Sequence, residues 1–142
     1  MRNVSDMTAR RQAIAHGASV VGIVGAWLYH GLVPKLWKVD ADEQTFFRVI
    51  GLGPTATRRA VRATGVAEVV FAAVMAGNVR RRWPFALTLA AMPPLAIGAG
   101  VTDPKLLTKA FNPVSLNLVI AALAVVGLAT HRDTGSRAAS RS

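Results

Sequence analysis

Cysteine is absent from the 142 residues, which removes thiol–disulfide chemistry, disulfide cross-linking and cysteine-based zinc sites together. Acids are scarce: seven Asp+Glu stand against 17 Lys+Arg, for a formal charge of +10 and a pI near 11.7. Charge of either sign is also sparse, at 17% of residues, where ordinary soluble domains carry roughly 25%. A chain this basic ordinarily points to nucleic acid. Here 52% hydrophobic residues and a mean hydropathy of +0.37 exclude a nucleic-acid-binding arm, and exclude disorder as well. No Walker motif, HExxH or nucleophile elbow occurs, and no metal site is read. The length fits one domain, 1–142.

What is present is four apolar blocks separated by charge, predicted as helices over 13–34, 57–79, 83–102 and 113–130. Each has the length that a helix needs to cross about 30 Å of hydrocarbon. A soluble bundle carries a polar stripe on every helix, and the third and fourth blocks contain no charge at all. The expected fold is therefore all-α, a four-transmembrane-helix bundle. The polar tails, 1–12 and 131–142, are expected to fray. The first block has a longer apolar run than a signal peptide and no A-x-A-like cleavage site before a soluble domain, so it reads as a retained anchor.

Between the first two blocks, DADEQTFFRVIGLGP has Asp40 as N-cap with Glu43 at capping-box spacing, then Phe46, Phe47 and Ile50 at helical spacing. This predicts a short interfacial helix with its aromatic side toward the bilayer. Thr55 is the expected cap of the following helix, whose Arg58, Arg59 and Arg62 snorkel to headgroup phosphates. Flanking cations divide nine against eight: Arg2, Arg10, Arg11, Arg80, Arg81, Arg82, Arg132, Arg137 and Arg141 on one side, Lys35, Lys38, Arg48, Arg58, Arg59, Arg62, Lys105 and Lys109 on the other. The arginine triplet sits in a very short loop, which puts both termini in the cytoplasm.

Glu68 is the most informative single residue. It lies nine residues past Arg59, about 13 Å along a helix. A carboxylate at that depth must be paired, protonated or facing a polar cavity. Gly65, Ala72 and Ala76 share its side and admit a close neighbour. Partners come from WLYHGLVPK at the end of the first block, where Trp27, His30 and Pro34 share one side, with Gly31 and Lys35 one step round. His30 at matching depth can share a proton with Glu68; alternatively, Lys35 reaches down to it. The plainer readings are a structural salt bridge at Glu68, a backbone-bonded His30 and a snorkelling Lys35.

In VTDPKLLTKAFNPVSLNL, Asp103-Pro104 breaks the third helix and Asn112 caps the fourth, with Pro113 at its first position. Asn117 lies a turn inside and is expected to join Glu68 or bond another helix. Pro93-Pro94 should kink the third helix and free carbonyls toward a cavity. His16 and His30 are 14 residues apart, about 21 Å along one helix, too far to ligate one haem. His16 and His131 can share a side, though a haem between them competes with the plain role of a polar helix end. Ala18, Gly22 and Ala26 form a small-residue stripe suited to homo-oligomer contact or to packing within the chain.

Taken together, WLYHGLVPK, a helix with one glutamate, and TDP…FNPVSLNL make the chain resemble the DoxX-like family of small membrane proteins, from about residue 10 to 130. The matching positions are Trp27, His30, Gly31, Lys35, Glu68, Asp103, Pro104, Asn112, Pro113 and Asn117. The resemblance implies a four-helix membrane bundle in a bacterial inner membrane. It also implies an accessory or ligand-binding role in a quinone-linked redox system, beside a membrane or peripheral oxidoreductase. Glu68, His30, Lys35, Asn117 and Trp27 would then form a pocket for a quinone or other lipid-soluble ligand. A proton-coupled transporter and a non-catalytic assembly factor are the alternatives. No nucleic acid is expected; the cations face anionic lipid headgroups.

Overall fold

The computed structural model describes residues 4–108 and 112–131, and all the regular structure within them is helical. Helix α1 spans Val4–His30 and runs on as a wider, π-helical stretch, Gly31–Trp37. A short α2, Ala41–Val49, is followed by α3, Pro54–Gly77, and α4, Trp83–Thr102. A 3₁₀ turn, Pro104–Thr108, leads to α5, Pro113–Ala129. Expectations for Arg2, Lys109, Arg132, Arg137 and Arg141 lie outside the described residues, as does nearly all of the C-terminal tail.

Three of these segments, Val4–Trp37, Pro54–Gly77 and Trp83–Thr102, are long and apolar enough to cross a membrane; α5 is apolar but 17 residues long. Their outward faces are greasy: Val21 on α1 is 73% exposed, Ile97 on α4 65%, and Leu118 on α5 65%. Water would penalise apolar patches of this extent on several helices at once. The chain is a multi-pass membrane protein.

Packing follows the order α3, α1, α5, α4, with α1 and α5 in the middle. The backbones of α3 and α4 do not approach closely along their lengths although a short turn joins them. Helix α2 touches both and bridges that gap. The core between the long helices is Ile23, Met75, Phe85, Met92, Ile120 and Ala124. Small residues set the spacing there. A side chain at Gly127 would run into the Phe85 ring and Ser19, and one at Gly22 would meet Leu123 at 2.8 Å. Gly22 thus serves the chain's own α1–α5 contact. Ala26 lines a cavity and Ala18 is exposed.

The boundaries differ from the sequence expectation in three places. Helix α1 starts at Val4, not near 13, because Arg10, Arg11 and Gln12 are good helix formers. Their polarity marks the end of the apolar span, which is a different boundary from the end of the helix. Pro34 does not end α1. It lacks an N–H and its ring crowds the carbonyl a turn back, and here the helix widens instead, with Lys38 N–H donating to Val33 O at 3.1 Å. Helix α3 starts on Pro54 with Gly53 as its N-cap, so Thr55 has no capping role. A proline's fixed φ suits that first position. The expected Asp40 and Asn112 caps are both present: Asp40 Oδ1 accepts from Asp42 N–H at 2.8 Å, and Asn112 Oδ1 from Ser115 N–H at 2.7 Å.

Candidate functional site

The site begins with two glycines. Gly31 and Gly65 let the π-helical stretch and α3 cross almost backbone to backbone. A Cβ on Gly31 would stand 2.7 Å from Gly65 O, and a Cβ on Gly65 would stand 2.9 Å from Gly31 O. In this antiparallel crossing Lys35 lies level with Gly65 and Glu68 with Gly31. Helical side chains lean toward their own N-terminus, so both lean across the crossing and meet. Lys35 Nζ donates to Glu68 Oε1 in a tight ion pair, both side chains largely buried. Of the two partners open to Glu68, the structure selects Lys35 over His30.

Lys35 has a second carboxylate, Glu43 of α2, at 3.6 Å. Sequence spacing suggested that Glu43 closes a capping box with Asp40. Instead the Asp40 N–H donates to Pro34 O at 2.7 Å, and Glu43 turns inward to the ammonium. Burial pushes the Glu43 carboxyl above its ordinary 4.5; the Lys35 charge opposes that rise and the Glu68 charge adds to it. The turn that folds α2 back is built on Val39, whose φ of 47° is unusual for a β-branched residue, and α2 is left through Gly51 at φ 88°. Val39 O accepts from Gln44 Nε2 at 2.9 Å, which ties the strained residue to the helix it starts.

These elements line a partly open cavity of about 430 Å³, within the usual size of small-molecule sites, roughly 300–1,000 Å³. Glu68, His30, Lys35, Asn117 and Trp27 all line it, brought together from α1, the π-helical stretch, α3 and α5. Asp103, Asn112 and Pro113 line it as well; Gly31 acts through the crossing, and Pro104 starts the 3₁₀ turn beneath Asp103. Met92, Leu95, Leu116 and Ile120 supply apolar wall, and Phe46 and Phe47 of α2 form a roof. Phe46 packs on α4, where a Cβ on Gly98 would touch its ring at 3.2 Å, and stays 43% exposed on its other side. Helix α4 runs unbroken through Pro93-Pro94. These two residues offer no N–H to the carbonyls of Leu89 and Ala90, and Pro94 lines the cavity.

Three residues of this wall each carry a buried polar atom with no hydrogen-bond partner among the described residues: Trp27 Nε1, His30 Nε2 and Glu68 Oε2. Leaving such a group unmet costs about 1–3 kcal/mol, and buried indole N–H groups normally find an acceptor. The Trp27 ring is held edge-on against Phe71, centroids 5.1 Å apart. The set comprises one obligate donor, one acceptor and one imidazole nitrogen able to be either.

Sequence reasoning missed Glu43 and Thr64 as lining residues and the roofing role of α2. The signal was present: Glu43, Phe46 and Phe47 share one helix face. At the opposite end of the bundle, His16 and His131 do approach, ring centroids 5.8 Å apart. Both Nε2 atoms bond backbone, to Val79 O at 3.0 Å and Arg80 O at 2.8 Å, so they tie α1 and the chain after α5 to the α3–α4 turn.

An all-α membrane bundle with a charged, roofed cavity at one end is thus the class of protein defined by fold and site. More narrowly, the chain belongs to the DoxX-like family, whose model matches residues 24–125. The matched stretch contains every lining residue discussed above. No curated protein and no solved structure matches the chain.

Proposed function

We propose that the cavity holds the head of a lipid-soluble, quinone-type ligand, and that the protein is a ligand-holding accessory of a membrane redox system. The carrying observation is the trio Trp27 Nε1, His30 Nε2 and Glu68 Oε2, buried, without a partner among the described residues, and carried by side chains that line one apolar-walled cavity. A head group with oxygen functions on a flat ring satisfies such a set. The apolar walls and the position between membrane-long helices favour a ligand that arrives through the bilayer. In this reading α5 is a fourth span, α2 lies at the interface as a roof, and the setting is a bacterial inner membrane. Arg10, Arg11 and the Arg80–Arg82 triplet face the cytoplasm with both termini. The test is mass spectrometry of lipids retained after purification in mild detergent, followed by titration with short-chain menaquinone analogues. Co-purified quinone and saturable binding support the reading; neither, across wild type and several detergents, overturns it.

One observation favours a second reading, proton-coupled transport. Lys35 is shared between Glu68 inside and the partly exposed Glu43, which together make a charged route from the roof to the cavity. Proteoliposome flux unchanged by Glu68→Gln would remove it.

A further inference from the structure

We infer that the cavity opens sideways into the bilayer, along the flank of α4 that carries Pro94 and Gly98, and that the Phe46 ring of α2 plugs this opening. Of the ligand reading above, the inference rests only on a lipid-soluble occupant, and it adds the way in. Pro94 and Gly98, four residues apart, share one flank of α4. Pro94 lines the cavity and is exposed; Leu95 beside it lines the cavity and is 46% exposed. The cavity reaches the surface of the bundle here. Pro94 lies eight residues before Thr102, the last residue of α4, about 12 Å along a helix. An opening at that depth on a membrane-long helix meets hydrocarbon, not water. Its surroundings agree: Ile97 and Val101 on the same helix are both apolar and both strongly exposed.

The opening exists because α3 and α4 stand apart, with α2 lying across the gap. Phe46 lines the cavity, seats its ring on Gly98 and keeps its other side exposed, so one ring reaches from the cavity to the outer surface. A side chain at 98 would take the ring's seat. Helix α2 holds this ring lightly. None of its residues is buried, its Glu43 stands 3.6 Å from Lys35, longer than a hydrogen bond, and the chain turns through positive φ at Val39 before it and at Gly51 after it. Asp40, Asp42, Glu43 and Asp103 line the cavity near the start of α2 and the end of α4. An apolar ligand passing there would strip water from carboxyl groups at a cost, whereas Phe46, Pro94 and Leu95 offer a path without charge.

The experiment measures which quencher reaches Trp27 on the cavity wall, and it needs no ligand. Full-length protein with Trp37→Phe and Trp83→Phe, which leaves Trp27 as the one tryptophan, is reconstituted in phosphatidylcholine vesicles. Quenching by phosphatidylcholine brominated in mid-chain reports access from the hydrocarbon, and quenching by acrylamide reports access from water. Phe46→Ala should raise quenching by the brominated chains at least about twofold, as removal of a gating group does, and leave acrylamide quenching unchanged. Phe46→Cys gives a reversible version, because the chain has no other cysteine. A benzyl methanethiosulfonate adduct there puts a ring back and should return quenching to the wild-type level, and a reducing agent should release it again. Unchanged quenching by brominated chains in both variants, or an equal rise with acrylamide, overturns the sideways opening. A rise that the benzyl adduct does not reverse overturns Phe46 as its plug. If Phe46→Ala does not fold, adduct formation and removal on Phe46→Cys decide the matter within one sample. Absence of any bound quinone would overturn the ligand reading and leave these outcomes as they stand.

Discussion

Replacing Gly65 by alanine tests the crossing on which the site is built. The added Cβ would stand 2.8 Å from Lys35 Cβ, 2.9 Å from Gly31 O and 3.1 Å from Leu36 Cγ. Two of these neighbours are backbone or at a side chain's root, so no rotamer change relieves them, and the π-helical stretch must move off α3. Overpacking of this kind costs about 1–3 kcal/mol, and the upper half of that range applies because the obstruction is rigid. Alanine's better helix propensity returns up to about 1 kcal/mol. The net loss is then about 1–2 kcal/mol, a few degrees in melting temperature for a chain of this size. Gly25→Ala is the matched control: it lies inside α1 with nothing among the described residues within 4 Å of its Cβ position, so it should be neutral or stabilising. Thermal melting of both variants in one detergent provides the comparison. Gly65→Ala as stable as Gly25→Ala would refute the close crossing, and with it the geometry that delivers Lys35 to Glu68.

Lys35→Met leaves the Glu68 charge buried and unpaired and should cost about 3–5 kcal/mol, whereas Lys35→Met with Glu68→Met should recover most of it; denaturation of the three proteins measures both. The raised Glu43 carboxyl implies a pH dependence. Its folded-state value lies above its unfolded one, so its contribution is fully present below the ordinary 4.5 and falls away as pH rises through the raised value. Glu43→Gln should flatten that part of the profile of melting temperature against pH, and an unchanged slope would contradict the assignment. Asn112→Ala removes the bond to Ser115 N–H and should cost about 0.5–2 kcal/mol, while Asn117→Ala, with no cap to lose, should bear on ligand affinity instead.

The apolar blocks were legible in the sequence, three of them at membrane length and the fourth as the 17-residue α5, because length and scarcity of charge are properties of composition. Asn112 and Asp40 were legible because caps are local. Glu68 stood out because one carboxylate in a long apolar helix has to be explained. Its partner was not determined by depth alone: His30 and Lys35 are both within reach of Glu68's level, and the choice depends on how a helix widened at Pro34 turns its side chains. Glu43 was misjudged for a related reason. Capping-box spacing is a local rule, and here a long-range attraction to Lys35 overrides it. The roofing of α2 required knowing that α3 and α4 leave a gap for it to bridge, which no spacing records.

The central claim is that the space bounded by Trp27, His30 and Glu68 takes a lipid-soluble ligand. Trp37 and Trp83 are 79% and 46% exposed, so both can be replaced by phenylalanine, leaving Trp27 as the sole reporter on the cavity wall. Titration of that protein with a short-chain quinone analogue should quench Trp27 fluorescence saturably, and Ala99→Phe, which fills the cavity from α4, should abolish saturation. Quenching that rises linearly with quinone in the detergent and ignores Ala99→Phe would contradict the account.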